Sequence, residues 1–297
     1  MSDWPKKHTQ WIKNRTLYIS IPFTWNLPEV RSEILQCSIF WDRVIIGGPA
    51  VSLIPEYFND LDFVLIGPPS YPGVLQRVNP MATKTTMGCI RKCKFCAVPK
   101  IESVYFKNGF KQLDDWPDLP IICDNNLLAA SKKHFDRVIN RLLKHNIPLY
   151  KEKGHTVDFN QGLDSRLLSD HHAKRFTELK KPMIRLALDN ISYKKQWLSA
   201  LNKLIRAGVA KTNIRSYALI GFDSDPQEGW KRCEWIESNG IKVLPQWFHK
   251  LDALKKNIVT KEQVELGWTD NERKRLMQWY FQHNERKYGR SEFRDQK

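Results

Sequence analysis

The 297-residue chain has few features of a membrane or secreted protein. No apolar run approaches the ~18 residues that a membrane-spanning helix needs. The opening residues, MSDWPKKHTQWIKNR, lack the apolar core of a signal peptide. There are only six cysteines, and their spacing does not resemble a disulfide framework for a chain of this length. We therefore expect a cytoplasmic protein with reduced thiols and no membrane partner.

Acidic residues are also scarce, with 32 Asp and Glu against 48 Lys and Arg, which gives a net charge of +16. Such a surplus favours polyanionic partners, with nucleic acid first and an anionic membrane surface or phosphorylated small substrates after it. A solvated basic surface explains the same surplus equally well. The 41% hydrophobic content and eleven tryptophans indicate a packed globular protein and not a disordered one.

The first 80 residues predict a small N-terminal α/β unit. Three β-rich stretches are separated by helical or loop segments, which favours a short parallel sheet; they read TLYISIPFTW, RVIIGGPAV and FVLIG. Between the first two, NLPEVRSEIL predicts a helix that Asn26 opens and that has proline in its first turn. The segment PPSYPGVLQRVNP, with its four prolines, is typical of a linker out of the unit.

From residue 81 to about 248, six strand-like stretches alternate with helical ones. The strand stretches contain ATKTTM, PIICDN, TVDFNQG, MIRLALDN, NIRSYALIGF and IKVLPQWF. This alternation predicts an α/β fold whose core is a partial or full (β/α) barrel of about six parallel strands. Residues 249–297 predict a basic helical C-terminal extension, whose apolar stripe either docks on the barrel or forms an arm that touches a substrate.

Three cysteines lie together in TKTTMGCIRKCKFCAVPKIE, residues 83 to 102, directly after the first barrel strand. Cys89, Cys93 and Cys96 follow a C-x3-C-x2-C spacing at the carboxyl end of that strand, where sites on such sheets lie. A structural zinc site needs four ligands, and the nearest histidine downstream is His134, so a fourth ligand would come from afar. The alternative is an iron–sulfur cubane on three thiolates with one iron left open, and the basic residues around the loop favour thiolates.

These three cysteines, with Phe95 before the last of them, resemble the cluster loop of the radical S-adenosylmethionine (radical SAM) superfamily. The following AVPKIE is similar to the branch that contains cobalamin-dependent radical enzymes and tRNA methylthiotransferases. The resemblance implies a 4Fe-4S cluster on the three cysteines and SAM chelated to the open iron. It also implies reductive cleavage of SAM to a 5′-deoxyadenosyl radical, driven by an external electron donor such as flavodoxin or ferredoxin.

The resemblance also implies SAM contacts at the ends of the later strands. Residues at matching positions are Phe95 in the loop, Asp124 and Asn125 after the second strand, Gln161 and Arg166 after the third, Asp189 after the fourth, and Ile220 and Gly221 in the fifth. The match is partial, because aspartate and asparagine replace a common Gly-Gly-Glu and Asp223 replaces a proline. An aspartate at these places also caps a helix well, and Gly221 also suits a plain turn. Gln161 and Arg166 fit a solvated or capping role nearly as well.

The N-terminal text IIGGPAV followed by IPEYFNDLDFVLIG resembles the tail of a cobalamin-binding domain. However, the Asp-x-His-x-x-Gly text that ligates cobalt in many such domains is absent and the region is short, so cobalamin is not expected. A second cluster of the methylthiotransferase kind is not expected either, because only Cys37 precedes the barrel. The three lone cysteines, which are Cys37, Cys123 and Cys233, are interpreted as small hydrophobic residues.

The sequence thus predicts a radical SAM enzyme that modifies a nucleic acid or nucleotide. Two alternatives stay open. One is a radical SAM maturase or tailoring enzyme with the same cluster and a peptide or small-molecule substrate. The other is a noncatalytic nucleic-acid-binding protein with a structural zinc.

Overall fold

A computed structural model describes residues 4–5, 7–68, 73–145 and 156–288. The strands in these ranges are β1 (Thr9–Lys13), β2 (Thr16–Ser20), β3 (Arg43–Gly47), β4 (Val64–Ile66), β5 (Ala82–Thr83), β6 (Thr86–Gly88), β7 (Phe110–Gln112), β8 (Ile121–Ile122), β9 (Asp158–Phe159), β10 (Ile184–Leu188), β11 (Ile214–Ile220) and β12 (Lys242–Trp247). The α-helices are α1 (Leu27–Cys37), α2 (Pro49–Leu53), α3 (Val74–Val78), α4 (Val98–Ile101), α5 (Lys132–His145), α6 (Asp170–Phe176), α7 (Lys194–Ala207), α8 (Pro226–Ser238), α9 (Lys261–Glu265) and α10 (Asp270–Tyr288).

The N-terminal unit is a four-stranded sheet in the order β1-β2-β3-β4. Strands β2, β3 and β4 run parallel, as the sequence predicts, while β1 pairs antiparallel with β2 and was not predicted. Alternate residues of β2 and β3 are buried with one face of α1, and they form a core of the unit's own; examples are Leu17, Ile19, Val44 and Ile34. Of the proline-rich segment, residues 69–72 lie outside the described residues, and α3 follows directly.

The core of the chain is a parallel sheet of six strands. Two three-stranded parallel sheets, β5-β8-β9 and β10-β11-β12, are joined where Asp158 pairs with Met183 and Leu163 with Leu186. Within the described residues no pairing joins β5 to β12, so these six strands form an open parallel sheet and not a closed barrel. Pro245 fits that topology, because proline is tolerated in an edge strand such as β12.

Helices pack the outer face of this sheet, and part of the C-terminal extension belongs to the same core. Leu276 and Tyr280 of α10 and Trp268 before it are fully buried among barrel residues. Helix α10 packs against β12, which protects an edge strand from pairing with other chains. The described part of the C-terminal extension therefore docks on the parallel sheet. None of the helices in the described residues combines the length and hydrophobicity that crossing a bilayer requires.

The N-terminal unit touches both ends of the open sheet. Helix α2 packs against α4, which follows the first barrel strand. On the other side, Thr24 Oγ1 donates a 2.7 Å hydrogen bond to the carbonyl oxygen of Ala253, beyond the last strand. The ring of Trp25 lies 4.7 Å from that of His249. The unit thus spans the open side of the barrel at the carboxyl ends of its strands.

Candidate metal centre

The cysteine loop connects β6 to β7. These two short strands pair antiparallel as a hairpin at the carboxyl end of the first barrel strand. The backbone N–H of Cys89 donates to the carbonyl of Gly109 at 2.9 Å and to Ser103 Oγ at 3.1 Å. Gly88 has φ +72°, and a Cβ built on it would lie 2.2 Å from the Gly109 oxygen. Only glycine therefore lets the two strands meet and places the first cysteine.

Two donors point at the first thiol. The backbone N–H of Arg91 lies 3.3 Å from Cys89 Sγ, and Asn126 Nδ2 lies 3.4 Å from it. Hydrogen bonds to cysteine sulfur stabilise its negative form and tune iron–sulfur clusters. Asn126 is almost fully buried, so it is positioned by the fold and not by solvent.

The other two thiols are not activated by their basic neighbours as the sequence suggests. Lys92 and Lys94 are exposed, whereas burial raises the pKa of Cys93 above its usual value and the pKa of Cys96 to about 11. A bound metal deprotonates coordinating thiols regardless of such a shift. These cysteines therefore suit metal ligation better than free nucleophilic chemistry.

The sequence leaves two metal centres open for the three thiols, a structural zinc site and an iron–sulfur cubane, and the two need different ligand sets. In the described residues no three His, Cys, Asp or Glu side chains converge tightly enough to hold one ion. A zinc ion needs its ligands at ~2.3 Å from one point, normally four of them. In a cubane each thiolate binds a different iron, so the thiols stand further apart and three leave one iron open. Three thiolates are the ligand number of a cubane with one open iron, whereas a structural zinc site would need a fourth ligand.

Asp124, which follows β8, supports the strand that leads to the cysteines. Its carboxylate accepts hydrogen bonds from the backbone N–H of Thr85 at 2.6 Å and of Thr86 at 2.8 Å, and from the Thr85 hydroxyl. It is 3% exposed, and burial raises its pKa to about 6 against the opposing effect of these donors. The break between β5 and β6 is thus filled by this side chain, and its role as a SAM contact stays a prediction.

Glu102 is a second organising residue, and the sequence analysis missed it. One carboxylate oxygen pairs with Lys84. The other accepts from the Gly88 N–H at 2.9 Å and from Asn125 Nδ2 at 2.6 Å. Asn125, predicted to contact SAM, therefore already holds the loop. A lone acid within a lysine-rich segment is the only sequence feature that could have indicated this role.

Asp164 links the cysteine loop to the end of the third barrel strand. Its carboxylate accepts from Arg91 Nε at 3.0 Å and from Arg166 Nε at 2.6 Å. Burial acts to raise the pKa of Asp164, but the two guanidinium groups outweigh it and hold that pKa below its usual range. Arg166 also lies over the ring of Tyr193, 4.8 Å from its centroid. The predicted Arg166 is therefore fixed in place near the thiols.

Asp189 stands at the end of β10 with its side chain half-buried. Burial raises its pKa, and Arg166 and Arg232 partly oppose that shift. Its carboxylate has no hydrogen-bond partner among the described residues, whereas the neighbouring Asn190 donates to Asp223 at 3.2 Å. Asp189 also acts electrostatically on Cys93 and Cys96. Of the predicted contacts, it is the carboxylate that the fold leaves available beside the thiols.

A row of aromatic rings connects the cysteine loop to the last two strands. Phe95 packs edge-on against Phe222 at 5.4 Å, and Phe222 packs edge-on against Phe248 at 4.9 Å. Phe222 follows β11 and Phe248 follows β12, so the loop closes over the carboxyl end of the sheet. The row therefore places apolar rings directly beside the third cysteine, Cys96.

The remaining predicted SAM contacts, Ile220, Gly221 and Gln161, differ in how deeply they are buried. Ile220 is fully buried in the core, and its carbonyl accepts from Phe248 N–H at 2.8 Å. Gly221 has φ +78°, and an added Cβ would lie 2.5 Å from the Trp247 ring, so packing alone demands glycine there. Gln161 is exposed. The fold thus explains the first two residues without a cofactor, and their SAM contacts stay predictions.

The three lone cysteines stay apart from this centre. Cys233 is fully buried in the barrel core, and Cys123 is buried with Ala82 and Ile121. Cys37 is half-buried against the core of the N-terminal unit. Their interpretation as small hydrophobic residues agrees with these positions.

Comparison with known proteins identifies the fold. No protein-family model matches the chain, and no curated protein matches it in sequence. It is similar to the radical SAM methyltransferase TsrM from Kitasatospora setae with cobalamin and a [4Fe-4S] cluster bound, with a TM-score of 0.55 and 11% identity over 79% of this chain and 63% of that one. It is similar too to TsrM with tryptophan substrate and the SAM analogue aza-SAM bound, with a TM-score of 0.54 and 9% identity over 80% and 62%.

The fold is therefore of the kind found in a radical SAM methyltransferase. The chain spans less than two thirds of the length of the structures it matches, and at such identities the likeness concerns the fold alone. It agrees with the superfamily that the cysteine loop resembles. Activity, cofactors and substrate are a separate inference.

Asp124 offers a test that separates a structural role from a cofactor contact. Asp124→Ala orphans three buried donors and is expected to lower the free energy of unfolding by about 2–5 kcal/mol. Asp124→Asn keeps an acceptor for Thr85 and Thr86, so it should fold. If Asp124 binds SAM, the asparagine variant will lose SAM affinity while its melting temperature holds; if its role is structural, affinity will persist.

The same residue predicts a pH dependence. The folded-state pKa of Asp124, at about 6, lies above the unfolded value, so the native state binds the extra proton. Its contribution to stability is therefore present below pH 4 and is lost as pH rises to about 6, by roughly 3 kcal/mol. Urea unfolding at pH 4.5 and 7 should show Asp124→Asn gaining stability relative to wild type at the higher pH. An unchanged difference would contradict this.

Proposed function

We propose that the chain is a radical SAM enzyme in which Cys89, Cys93 and Cys96 hold a 4Fe-4S cluster and SAM binds the iron they leave open. The observation that carries the proposal is the loop itself. Three half-buried thiols, one of them already hydrogen-bonded at sulfur, follow the first strand of an open parallel sheet. When bound, the cluster and SAM supply one-electron cleavage of the sulfonium and hydrogen abstraction from the substrate.

The chain's own residues then have distinct tasks. The hairpin of Gly88 and Gly109 fixes the first ligand. Asp189 offers an unengaged carboxylate to the amino or hydroxyl groups of SAM, and Arg166, held by Asp164, offers a cation to its carboxylate. The ring of Phe95 shields the third ligand from water.

For the substrate we propose a nucleic acid or nucleotide. The support is the net charge of +16 together with aromatic side chains beside lysines, since bases stack on such rings. A peptide or small-molecule substrate is the alternative. The proposal includes an external donor such as flavodoxin or ferredoxin. It includes no cobalamin, because the sequence lacks the cobalt-ligating text.

The cofactor half is tested by anaerobic reconstitution. We expect a brown protein with about four irons per chain that loses its visible absorption on reduction. With SAM and dithionite it should form 5′-deoxyadenosine. A colourless protein with a single zinc and no SAM cleavage would overturn the proposal and favour the nucleic-acid-binding alternative.

The substrate half needs a separate assay. Formation of 5′-deoxyadenosine is measured with single-stranded RNA, single-stranded DNA, nucleotides, amino acids and peptides in turn. Stimulation by the nucleotide-containing set supports the proposal. Stimulation by peptides or amino acids alone would favour the maturase or tailoring alternative.

A further inference from the structure

The loop after β2 carries two stacked rings, which we call the rim pair, Phe23 and Trp25. Their planes are 8° apart and their centroids 4.5 Å apart. Phe23 is 46% exposed, although it is a large apolar side chain. Exposed aromatic rings held parallel and rigid are suited to stack a further flat ring.

The rim pair is fixed to the barrel and not only to the N-terminal unit. Thr24, between the two rings, is 3% exposed and donates from Oγ1 to the carbonyl of Ala253. Trp25 lies 4.7 Å from His249, whose Nε2 accepts from the backbone N–H of Asn257 at 2.9 Å. Segment 249–257 therefore folds back on itself beside the rim pair.

The rim pair is connected to the aromatic row of the candidate metal centre through His249. His249 directly follows Phe248, which begins the aromatic row through Phe222 to Phe95, next to Cys96. The rim pair thus contacts the residue that follows the outer ring of a row whose inner ring, Phe95, lies beside Cys96.

Segment 249–257 also carries charged side chains. Lys255 and Lys256 of segment 249–257 are exposed and have no acidic partner among the described residues. Asp252 is the only acid of this segment and acts on Lys250, which pairs with Glu262. Burial lowers the pKa of His249, so its ring adds no charge at neutral pH. Lys255 and Lys256 therefore follow Ala253, the residue that Thr24 contacts, by two and three positions, and both are exposed.

We infer that the rim pair with Lys255 and Lys256 binds one nucleotide unit of the substrate, with the base stacked on Phe23 and a phosphate on the lysines. The inference rests on the proposed function, and it names the ligand at the mouth of that site. Base stacking on aromatic residues and phosphate contacts from lysine are the two parts of single-strand recognition. A neutral aromatic substrate would have no use for the lysines.

Another basic surface provides a matched comparison. Helix α5 carries Lys132, Lys133 and Arg137 along a surface groove. Its aromatic neighbour, Trp116, is only 6% exposed and is covered by Arg137 and Arg141. That groove has charge without an open ring, so it serves as the control for charge alone.

The experiment measures binding of labelled single strands to the reconstituted full chain by fluorescence anisotropy. The probes are oligothymidylate and oligouridylate of about eight nucleotides, and an abasic strand of the same length. Phe23→Ala is expected to weaken binding of the base-bearing strands about 5- to 150-fold and to leave the abasic strand unchanged. Phe23→Trp should retain binding. Phe40→Ala, at another exposed ring of the N-terminal unit, is the matched control.

The lysines are tested through the salt dependence. Lys255→Ala with Lys256→Ala should weaken binding of all three strands and reduce the slope of log K against log salt by about 0.7, the value for the one phosphate that these lysines contact. Lys132→Ala with Lys133→Ala should change neither the preference for base-bearing strands nor the salt slope. Competition with AMP and UMP distinguishes the two sources of this nucleotide unit. Displacement of the labelled strand by AMP or UMP means that a free nucleotide binds the site, and displacement only by unlabelled strands means that the unit is part of a strand.

Two results would overturn the inference: an abasic strand that binds wild type as tightly as the base-bearing ones, or a Phe23→Ala variant that keeps the full preference for bases. Dithionite-driven SAM cleavage is measured on the same samples. If cleavage persists while base-dependent binding is absent, only the rim site fails. If binding is base-dependent but wild type never cleaves SAM, the proposed function fails instead.

Discussion

Replacing Cys89, Cys93 or Cys96 singly with alanine is expected to abolish 5′-deoxyadenosine formation and to remove most of the iron. The reason is the ligand count, because a cubane held by three thiolates has no spare thiolate and each variant removes one of its three protein ligands. The measurements are iron and sulfide per chain, visible absorption and the low-temperature EPR spectrum of the reduced protein.

Cys37→Ala is the matched control for these variants. Cys37 is a half-buried thiol of the N-terminal unit and packs against that unit's own core. It should retain wild-type iron and SAM cleavage. An iron loss equal to that of the loop variants, or a brown cluster that survives loss of all three loop thiols, would contradict the assignment of the ligands.

The parallel sheet was predictable because its strands are buried on both faces. Such strands appear as short apolar runs, as in MIRLALDN and NIRSYALIGF, and each is followed by an amphipathic helix. The observed β10 and β11 lie within those runs. The spacing of the three cysteines could also be recognised from the sequence, because all three lie within one loop. Local patterns of this kind need no knowledge of distant contacts.

The supports of the site were not predictable, because they join residues far apart in sequence. Arg91 and Asp164 are 73 residues apart, and Thr24 and Ala253 are 229 apart. Neither pair belongs to a periodic pattern. The hairpin of β6 and β7 was missed because three-residue strands carry too little alternation to be recognised.

Asp124 shows how a family resemblance and local physics can compete for one side chain. Its position after the second barrel strand suggested a cofactor contact, yet three donors from Thr85 and Thr86 already use its carboxylate. The need to satisfy the backbone N–H groups at the break between β5 and β6 accounts for a buried acid there. Sequence position alone does not distinguish the two roles.

Gly88→Ala is expected to prevent cluster assembly although all three thiols remain. An alanine at φ +72° costs about 1–2 kcal/mol. Its Cβ would also lie 2.2 Å from the Gly109 carbonyl oxygen, a backbone atom that cannot turn aside. Separating these strands adds about 1–3 kcal/mol and breaks the Cys89 to Gly109 hydrogen bond. The first ligand would then leave its place relative to the other two.

Gly73→Ala isolates the clash from the backbone strain. Gly73 has φ +79°, almost the same as Gly88, but in the described part of the chain nothing lies within 4 Å of its added Cβ. This variant should lose only about 1–2 kcal/mol of unfolding free energy and keep its iron. Urea unfolding and iron analysis of both variants therefore form one experiment. Equal iron in the two would mean that the ligands do not depend on the hairpin, whereas iron lost only from Gly88→Ala would show that backbone geometry, and not thiol count alone, builds the metal centre.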